Sequence, residues 1–143
     1  MILVDLNLIL YAVDSDSRIH VAARQWWDKQ LSGSAPVGLS WSVVLGFVRI
    51  STHTGILPRP MALVDAIHQV DWWLQQPCVH LLHPTEHHWK ILSGLLREVG
   101  YGANLTMDAH LAALAIEHGC ELCSTDTDFS KFPGLRWKNP LRN

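Results

Sequence analysis

Short runs of apolar residues alternate along this chain with longer stretches in which apolar residues recur every three or four positions. Short runs are typical of buried strands, and the longer spacing is typical of helices that pack one face on a core. The pattern predicts strands at 1–5, 36–39, 78–82, 120–124 and 135–138, and helices at 7–13, 18–31, 41–53, 60–75, 84–99 and 107–118.

Strands that alternate with helices indicate a parallel sheet, and hence an α/β fold. We expect one domain spanning 1–143, because a chain of this length buries ~68% of its unfolded surface without a second unit. In the helix predicted at 107–118, Thr106 is the expected N-cap and Gly119 the expected C-cap. Asp108 then lies in the first turn of that helix.

Composition narrows the setting in which the chain works. Its apolar runs are shorter than the ~20 residues of a membrane helix, and its amino terminus lacks the basic region that opens a signal peptide, so we expect a cytoplasmic protein. The net charge of −2 is unlike that of a protein that coats polyanions, because nonspecific RNA binding depends on many neutralised phosphates. Any RNA contact is therefore expected to be local, and the candidate cations are Arg24, Arg49, Arg59, Lys90 and Arg97.

Acidic residues follow the first and the fourth predicted strands directly. Asp5 and Asn7 come after the first strand, and Asp126 and Asp128 repeat the pattern after the fourth. Because ligands of open parallel sheets bind outside the carboxyl ends of the strands, we expect these acids to converge there with Asp108. Clustered carboxylates stay ionised only with a cation between them, and oxygen ligands favour Mg²⁺ or Mn²⁺. The sequence therefore predicts a magnesium or manganese site.

Each of these acids also has an ordinary explanation. An acid in the first turn of a helix interacts favourably with the helix dipole, so Asp108 taken alone is explained as a helix-stabilising residue. Asp5 and Asp126 are equally well explained as turn formers. The joint occurrence of the three acids at strand ends and a helix start favours the metal site.

Three ordered motifs carry a resemblance to a known family. The segments Val4-Asp5-Leu6-Asn7, 108–115 (Asp-Ala-His-Leu-Ala-Ala-Leu-Ala) and 124–129 (Ser-Thr-Asp-Thr-Asp-Phe) resemble the PIN-domain ribonucleases, specifically the VapC-type toxins of bacterial toxin–antitoxin pairs. The tail 132–141 is similar to one actinobacterial branch of that family. The resemblance spans nearly the whole chain and says little about the substrate.

The resemblance implies an α/β/α sandwich with a central, mainly parallel sheet, a divalent-cation site and endonucleolytic cleavage of structured RNA such as tRNA or rRNA. It assigns the catalytic and metal-binding roles to Asp5, Asp108 and Asp126. Asn7 is expected to orient Asp5, and Asp128 to be an accessory acid. The expected partner is a VapB-like antitoxin.

One element of the family pattern is missing. Most PIN domains carry a glutamate on the helix after the second strand, yet residues 31–64 contain no acid, and Gly46 stands near the expected place. A single-ion site, or a second ion held partly by RNA phosphate, is therefore expected. Arg49 lies on the same predicted helix and is a candidate contact for an RNA phosphate. The alternative function is a nuclease-impaired PIN module that binds RNA or an antitoxin without cleavage.

Seven tryptophans are unusual for this length, and two adjacent pairs, Trp26-Trp27 and Trp72-Trp73, lie on predicted helices. Adjacent helical residues diverge by ~100°, so one member of each pair should lie at the rim of the core. Such rims suggest a homodimer surface or a groove for an antitoxin segment, and partly buried core tryptophans are an equal alternative.

Other candidate chemistries are weaker. Cys120 and Cys123, with Cys78, suggest zinc or redox chemistry only faintly, because a reactive Cys-x-x-Cys uses a helix amino terminus. Buried, unpaired cysteines are expected. The histidines are expected at the surface or in satisfied core positions, with His87 and His88 on an exposed helix start. An aspartyl phosphatase needs an acid where Asn7 stands, and the glycine fingerprint of a dinucleotide-binding domain is absent after the first strand.

Overall fold

The computed structural model describes residues 1–142 of the chain. Its strands are β1 (Ile2–Val4), β2 (Val37–Leu39), β3 (Val79–Leu81), β4 (Glu121–Cys123) and β5 (Trp137–Lys138). Its α-helices are α1 (Leu6–Val13), α2 (His20–Ser32), α3 (Trp41–Ser51), α4 (Leu63–Gln75), α5 (His88–Val99) and α6 (Leu105–Glu117), and a short 3₁₀ helix spans Thr127–Lys131.

The strands form one sheet in the order β3-β2-β1-β4-β5, and every neighbouring pair is parallel. In register, Ile2 of β1 lies opposite Val37 of β2 on one side and Glu121 of β4 on the other. The chain thus builds outward from β1 to β3 and then returns to the other side of β1. The strand order reverses between β1 and β4, which is where open α/β sheets bind ligands.

The helices form two layers. Helix α1 packs on α2 and α3, and α3 packs on α4, whereas α5 packs on α6. Because crossovers between parallel strands are almost always right-handed, this strand order is expected to place α1 to α4 on one face of the sheet and α5 and α6 on the other. The predicted α/β/α sandwich with a parallel sheet is confirmed. None of the helices within residues 1–142 is long and apolar enough to cross a bilayer.

Helix α6 is the most deeply buried helix. Residues 111–115 are all buried, because alanines at positions 112, 113 and 115 let the helix approach its neighbours closely from several sides. This packing fixes the start of α6 relative to the sheet. Since Asp108 lies in its first turn, the buried helix also fixes the position of that carboxylate.

Both tryptophan pairs divide between core and rim as predicted. Trp73 is 2% exposed and packs edge-on against Phe47, with ring centroids 4.6 Å apart, and against Trp27, at 5.9 Å. Its neighbour Trp72 is 59% exposed. Trp26 is only partly buried and packs against the edge of the same core. Three aromatic side chains from α2, α3 and α4 therefore join these helices.

Helices α4 and α5 begin three and four residues later than predicted. Helix α4 begins at Leu63 and not at 60, because the backbone N–H of Met61 donates to the carbonyl of Ser51 at 2.7 Å and holds this segment extended. Helix α5 begins at His88 and not at 84. There the backbone N–H and the hydroxyl of Thr85 both donate to the carboxylate of Glu117, each at 3.2 Å.

Helix α6 begins earlier than predicted. Its N-cap is Asn104, which makes no capping bond through its side chain, so the expectation for Thr106 is wrong. The backbone N–H of Leu105 donates to the carbonyl of Gly102 at 2.9 Å and starts the helix with a tight turn. At the other end the helix stops at Glu117, and Gly119 follows with a φ of +66°.

The expectation of an exposed helix start holds for His87 but is wrong for His88. The ring of His88 lies between α5 and α6, where Nδ1 is 3.0 Å from Oε1 of Glu117 and Nε2 is 2.8 Å from Nδ1 of His110. Its side chain is 12% exposed and that of Glu117 only 2%. These bonds hold α5 and α6 together.

Candidate metal centre

The carboxyl ends of β1 and β4 place two of the acidic motifs side by side. The backbone N–H of Asp5, directly after β1, donates to the carbonyl of Cys123 at the end of β4 at 3.0 Å. The parallel ladder therefore continues to the residue that carries the first carboxylate. Asp126 follows three residues after Cys123, so both motifs emerge at one edge of the sheet.

Asp5 is held in place by two hydrogen bonds. Its Oδ1 accepts from the backbone N–H of Leu6 at 2.8 Å and caps α1. Its Oδ2 accepts from the hydroxyl of Ser124 at 2.6 Å. A carboxylate has about four lone-pair sites, so both oxygens can still accept from a further ligand.

Ser124 connects the first acidic motif to the last, a role that the sequence did not reveal. It is fully buried and donates its proton to Asp5. Its oxygen accepts from the backbone N–H of Asp126 at 2.9 Å and from Nδ2 of Asn7 at 3.4 Å. The one donor and two acceptor sites of the hydroxyl are thus all used. Asn7, expected to orient Asp5, contacts Ser124, which in turn holds Asp5.

Three carboxylates meet beside this hydrogen-bonded group. Asp108, Asp126 and Asp128 each offer one oxygen, and the three oxygens lie within 4.8 Å of one another. Asp108 comes from α6, whereas Asp126 caps the 3₁₀ helix by accepting from the backbone N–H of Asp128 at 2.9 Å. All three side chains are half-buried. Within residues 1–142 this is the sole cluster of its kind, and its oxygen donors suit Mg²⁺ or Mn²⁺.

Burial and the charges of neighbouring acids raise the pKa of Asp108 and of Asp5. Burial, followed by the charges of Asp126, Asp5 and Asp128, raises the pKa of Asp108 from 3.8 to about 6. Burial also raises the pKa of Asp5, and its hydrogen bond from Ser124 opposes that rise. Asp5 therefore lies within electrostatic reach of Asp108 and Asp126. A cation among them removes the repulsion that raises the pKa of Asp108.

Asp128, predicted as an accessory acid, lies closer to the candidate ion site than expected. It belongs to the three-oxygen group, whereas Asp5 lies beside that group. Oδ1 of Asp128 also forms an ion pair with Nζ of Lys131 at 2.9 Å. Its remaining lone pairs are available to an ion.

A cleft of about 190 Å³ opens next to the acids. Asp5 and Asp108 line one side, and Gly46 and Arg49 of α3 line the other. The sequence placed Gly46 where the family usually has a glutamate, and the structure indeed puts it in this cleft. A Cβ built on Gly46 would lie 2.7 Å from Cδ2 of Leu6, so Leu6 occupies the space that a side chain would need.

Two of the other candidate RNA contacts are already paired. Arg24 bonds Asp28 at 3.1 Å, and Arg59 bonds Asp16 at 2.6 Å. These two arginines do not line the cleft beside the acids, and neither do the remaining candidates, Lys90 and Arg97. Arg49 is therefore the candidate that the structure brings to the site.

The cysteines form no reactive site in the described part of the chain. Cys78, Cys120 and Cys123 are free and buried. Burial raises the pKa of the Cys123 thiol to about 12, which disfavours the thiolate needed for metal binding or redox chemistry. The expectation of buried, unpaired cysteines is confirmed.

The model of the PIN domain family matches residues 2–135. This chain belongs to the PIN-domain family. The PIN domain is 47% identical over 140 residues to a Mycobacterium tuberculosis protein named Ribonuclease VapC37, with 98% of this chain and 97% of the relative covered. It is 42% identical over 142 residues to Ribonuclease VapC33 of the same species, with 99% of each chain covered. The VapC-type resemblance is thereby confirmed.

Solved structures show the same fold. The PIN domain aligns with VapBC2 from Rickettsia felis, bound to a promoter DNA fragment, at a TM-score of 0.69 and 16% identity over 97% of this chain and 98% of that chain. It aligns with M. tuberculosis VapC20, described as a sarcin–ricin loop cleaving toxin, at a TM-score of 0.68 and 19% identity over 95% of this chain and 99% of that chain. At these identities the likeness concerns the fold.

The raised pKa of Asp108 predicts how the stability of the metal-free PIN domain depends on pH. Its pKa is about 6 in the folded state and 3.8 as the unperturbed value, so the folded protein binds this proton more tightly than the unfolded chain does. Stability therefore falls as pH rises between these two values. Asp108→Asn removes this penalty, and in EDTA its melting temperature should exceed that of the wild type at about pH 7.

The same melting curves at about pH 4 provide the control, because Asp108 is still largely protonated there in the folded state, most of the penalty is absent and the difference should shrink. Added Mg²⁺ should reverse the order at neutral pH by stabilising only the protein that retains the carboxylate. An unchanged difference across the pH range would show that repulsion at Asp108 has no effect.

Removing the Ser124 hydroxyl should weaken the site without removing a carboxylate. In Ser124→Ala, Asp5 loses a hydrogen bond and the amide of Asp126 loses its acceptor. Loss of such supporting bonds typically costs 10–100-fold in metal affinity or activity, and we expect about that loss in Mn²⁺ affinity by calorimetry. Ser130→Ala, which alters an exposed serine bonded only to the carbonyl of Thr127, is the control and should bind as the wild type does. Equal affinities in the two variants would contradict the role of Ser124.

Proposed function

We propose that this VapC-type PIN domain is a Mg²⁺- or Mn²⁺-dependent endoribonuclease that hydrolyses phosphodiester bonds of structured RNA and acts as the toxin of a toxin–antitoxin pair. The observation that carries the proposal is the meeting of three carboxylate oxygens within 4.8 Å, from Asp108 and from the segment after β4. The ribonuclease names of relatives that align over nearly the full chain support the same activity.

The carboxylates of Asp108, Asp126 and Asp128 would hold the ion, with Asp5 completing the site from the end of β1. Such an ion lowers the pKa of a bound water and offsets the charge that builds on the phosphate oxygens. Asp5 is suited to this place because two hydrogen bonds fix its orientation and leave lone pairs free. Ser124 and Asn7 keep the strand ends in register around it.

The reaction is hydrolysis and consumes one water molecule. The oxygen of the water forms a bond to phosphorus, the bond from phosphorus to one ribose oxygen breaks, and that ribose oxygen takes up a proton. The attacking group is the deprotonated water and no side chain is covalently modified. The protein would orient the phosphate beside the acids, and a bound ion would keep the carboxylates ionised.

The proposed substrate is tRNA or rRNA. The name of VapC20, a sarcin–ricin loop cleaving toxin with the same fold, supports a structured RNA target. Proteins read RNA sequence mainly in single-stranded loops, where bases are accessible, so a loop is the expected cleavage point. With a net charge of −2, this chain must bind such a loop through a few local contacts.

The proposed partner is a VapB-like antitoxin, and the proposed assembly includes a homodimer. Solved structures of the same fold include VapBC2 from Rickettsia felis and VapBC-1 from nontypeable Haemophilus influenzae. They also include FitAB bound to a DNA fragment. The exposed indole of Trp72, 59% accessible, supports a partner surface, because tryptophan is enriched at interfaces.

One observation favours the alternative of a PIN module without nuclease activity. The α3 wall of the cleft carries Gly46 and no acid, so one of the family's usual carboxylates is absent there. If that loss abolishes metal binding, the chain can bind RNA or an antitoxin but cannot hydrolyse RNA.

Two assays on the same preparation separate the alternatives. Calorimetric titration with Mn²⁺ should show binding, and cleavage of total tRNA and rRNA should require the metal and stop in EDTA. Sequencing of the new 5′ ends then identifies the target. RNA binding with no metal binding and no cleavage would favour the binding module and overturn the nuclease.

A further inference from the structure

One face of α3 forms the wall of the cleft opposite the carboxylates. Ser42, Gly46 and Arg49 all line the cleft, and their spacing of four and then three residues places them on one side of the helix. The start of α3 is fixed by Ser40, whose hydroxyl oxygen accepts from the backbone N–H of Val43 at 3.2 Å. The position of this wall is therefore set by the end of β2, next to the strand that ends at Asp5.

The middle of this wall is filled by the side chain of Leu6, which must shift to admit a larger residue at position 46. A Cβ at Gly46 would come within 2.7 Å of Leu6, which caps the cleft from the start of α1. No carboxylate can project from this position unless Leu6 moves. The first charged group on the α3 wall is consequently the guanidinium of Arg49.

Arg49 has no partner among residues 1–142. It takes part in none of the ion pairs there, although Arg24, Arg59, Lys131 and Lys138 are each paired with an acid. Arg49 is exposed and shares a cleft with two carboxylates, yet its donors remain free. An arginine presents donors in a planar fork that matches two phosphate oxygens.

The cleft thus has carboxylates on one wall and a guanidinium on the other. Enzymes that use two metal ions for phosphodiester hydrolysis place positive charge on both sides of the phosphate. Here one side of the cleft offers oxygen ligands for an ion, and the opposite side offers an organic cation whose donors are free.

We infer that Arg49 binds the phosphate that is cleaved and supplies, from the α3 wall, the positive charge that a second metal ion supplies in two-metal nucleases. The inference rests on the proposed nuclease function and extends it to the orientation of the substrate. The guanidinium donates two hydrogen bonds to the non-bridging oxygens of the phosphate and takes no part in the transfer of protons or electrons. The same phosphate faces Asp5 and Asp108 across the cleft.

Cleavage by variants at this position tests the inference. Arg49→Ala should lower kcat about 10²–10³-fold, the usual loss when one preorganised donor to the reacting group is removed. Arg49→Lys should fall in between, because lysine keeps the charge and loses the fork. Arg18→Ala removes an exposed arginine outside the cleft and should cleave as the wild type does. Melting curves confirm that each variant is folded.

Two further readouts separate a phosphate contact from an indirect effect. Mn²⁺ affinity, measured by calorimetry, should be the same in Arg49→Ala as in the wild type. RNA binding is then measured against salt concentration in an Asp108→Asn background, which cannot cleave. There, Arg49→Ala should reduce the slope of log K against log salt by about 0.7, the value for one lost phosphate contact on a single strand.

The outcomes distinguish this inference from the nuclease proposal. If the wild type cleaves RNA and Arg49→Ala cleaves it equally well, the role of Arg49 is overturned but the nuclease proposal stands. The same holds if Arg49→Ala loses as much Mn²⁺ affinity as activity. Absence of metal-dependent cleavage in the wild type overturns the nuclease instead. In that case the salt slope still decides whether Arg49 contacts a phosphate, since an unchanged slope overturns the contact and a reduced slope supports it.

Discussion

Replacing Asp108 with asparagine should abolish metal-dependent RNA cleavage and relieve growth inhibition in cells that express the protein. Asparagine keeps the shape of the side chain but removes the charge from the group of three carboxylates. Substitutions that only support a metal ligand cost roughly 10–100-fold, so the loss of a ligand should exceed about 100-fold in kcat/KM. The same preparation should bind Mn²⁺ more weakly by calorimetry.

The matched control for this variant is Asp65→Asn. Asp65 also lies in the first turn of a helix, α4, but is exposed and belongs to no cluster within the described residues. It should cleave RNA and inhibit growth as the wild type does. Retained cleavage in Asp108→Asn would show that Asp108 is not a metal ligand. Its role would then be to stabilise the start of α6, a contribution of ~0.3–1 kcal/mol.

Trp73→Ala should cause the largest loss of stability among the substitutions considered. The side chain is 2% exposed and contacts the rings of Phe47 and Trp27, so its removal leaves a cavity between α2, α3 and α4. Losses of buried tryptophan typically cost about 3–5 kcal/mol, and urea unfolding should show a decrease of that order in the free energy of unfolding.

The neighbouring Trp72 offers the control on the same helix. Because Trp72 is 59% exposed, Trp72→Ala should change the free energy of unfolding by at most about 0.5 kcal/mol. Equal effects of the two substitutions would show that the core does not divide the pair in this way. A large loss in Trp72→Ala alone, at high protein concentration, would place Trp72 in a subunit interface.

The fold could be predicted well because its signals are local. The strands lie in short apolar-rich stretches, and the helices repeat apolar residues at a longer period, so the alternation of the two patterns predicts the parallel sheet. The convergence of strand ends also followed from a general rule, which placed Asp5 and Asp126 at one edge. Asp108 was expected on a first helical turn, and it lies there.

Other features depend on contacts between distant residues. The late start of α5 results from the bonds of Thr85 to the carboxylate of Glu117, which no local pattern around Thr85 reveals. The burial of His88 has the same origin, because its two ring nitrogens find partners on α6. A histidine beside another histidine at a helix start gives no sign of this.

The sequence did not show how Ser124 supports the acids or that Asp128 belongs to the group of three carboxylates. Ser124 directly precedes the second acidic motif, and a hydroxyl at a strand end was the one available signal of its role. Its bond to Asp5 needs the β1–β4 pairing, which the sequence pattern did not supply, whereas its bond from the amide of Asp126 is local. Asp128 entered the carboxylate group because the 3₁₀ helix turns it toward Asp108, and that helix was not predicted.

The role of Gly46 depends both on the local sequence and on contacts between distant residues. Its identity and the missing acid could be read directly, but its contact with Leu6 and its place in the cleft are tertiary features. Because of them, an acid at position 46 would require the side chain of Leu6 to move. They also leave Arg49 as the charged group that faces the carboxylates.

The most direct test of the central claim is an anomalous difference map from a crystal of the wild-type protein soaked in Mn²⁺. Mn²⁺ scatters anomalously and shares the oxygen ligands of Mg²⁺. The account predicts a peak at about 2.0–2.2 Å from carboxylate oxygens of Asp108, Asp126 and Asp128, beside Asp5. A peak at another place, or no peak between these carboxylates at saturating Mn²⁺, would contradict it.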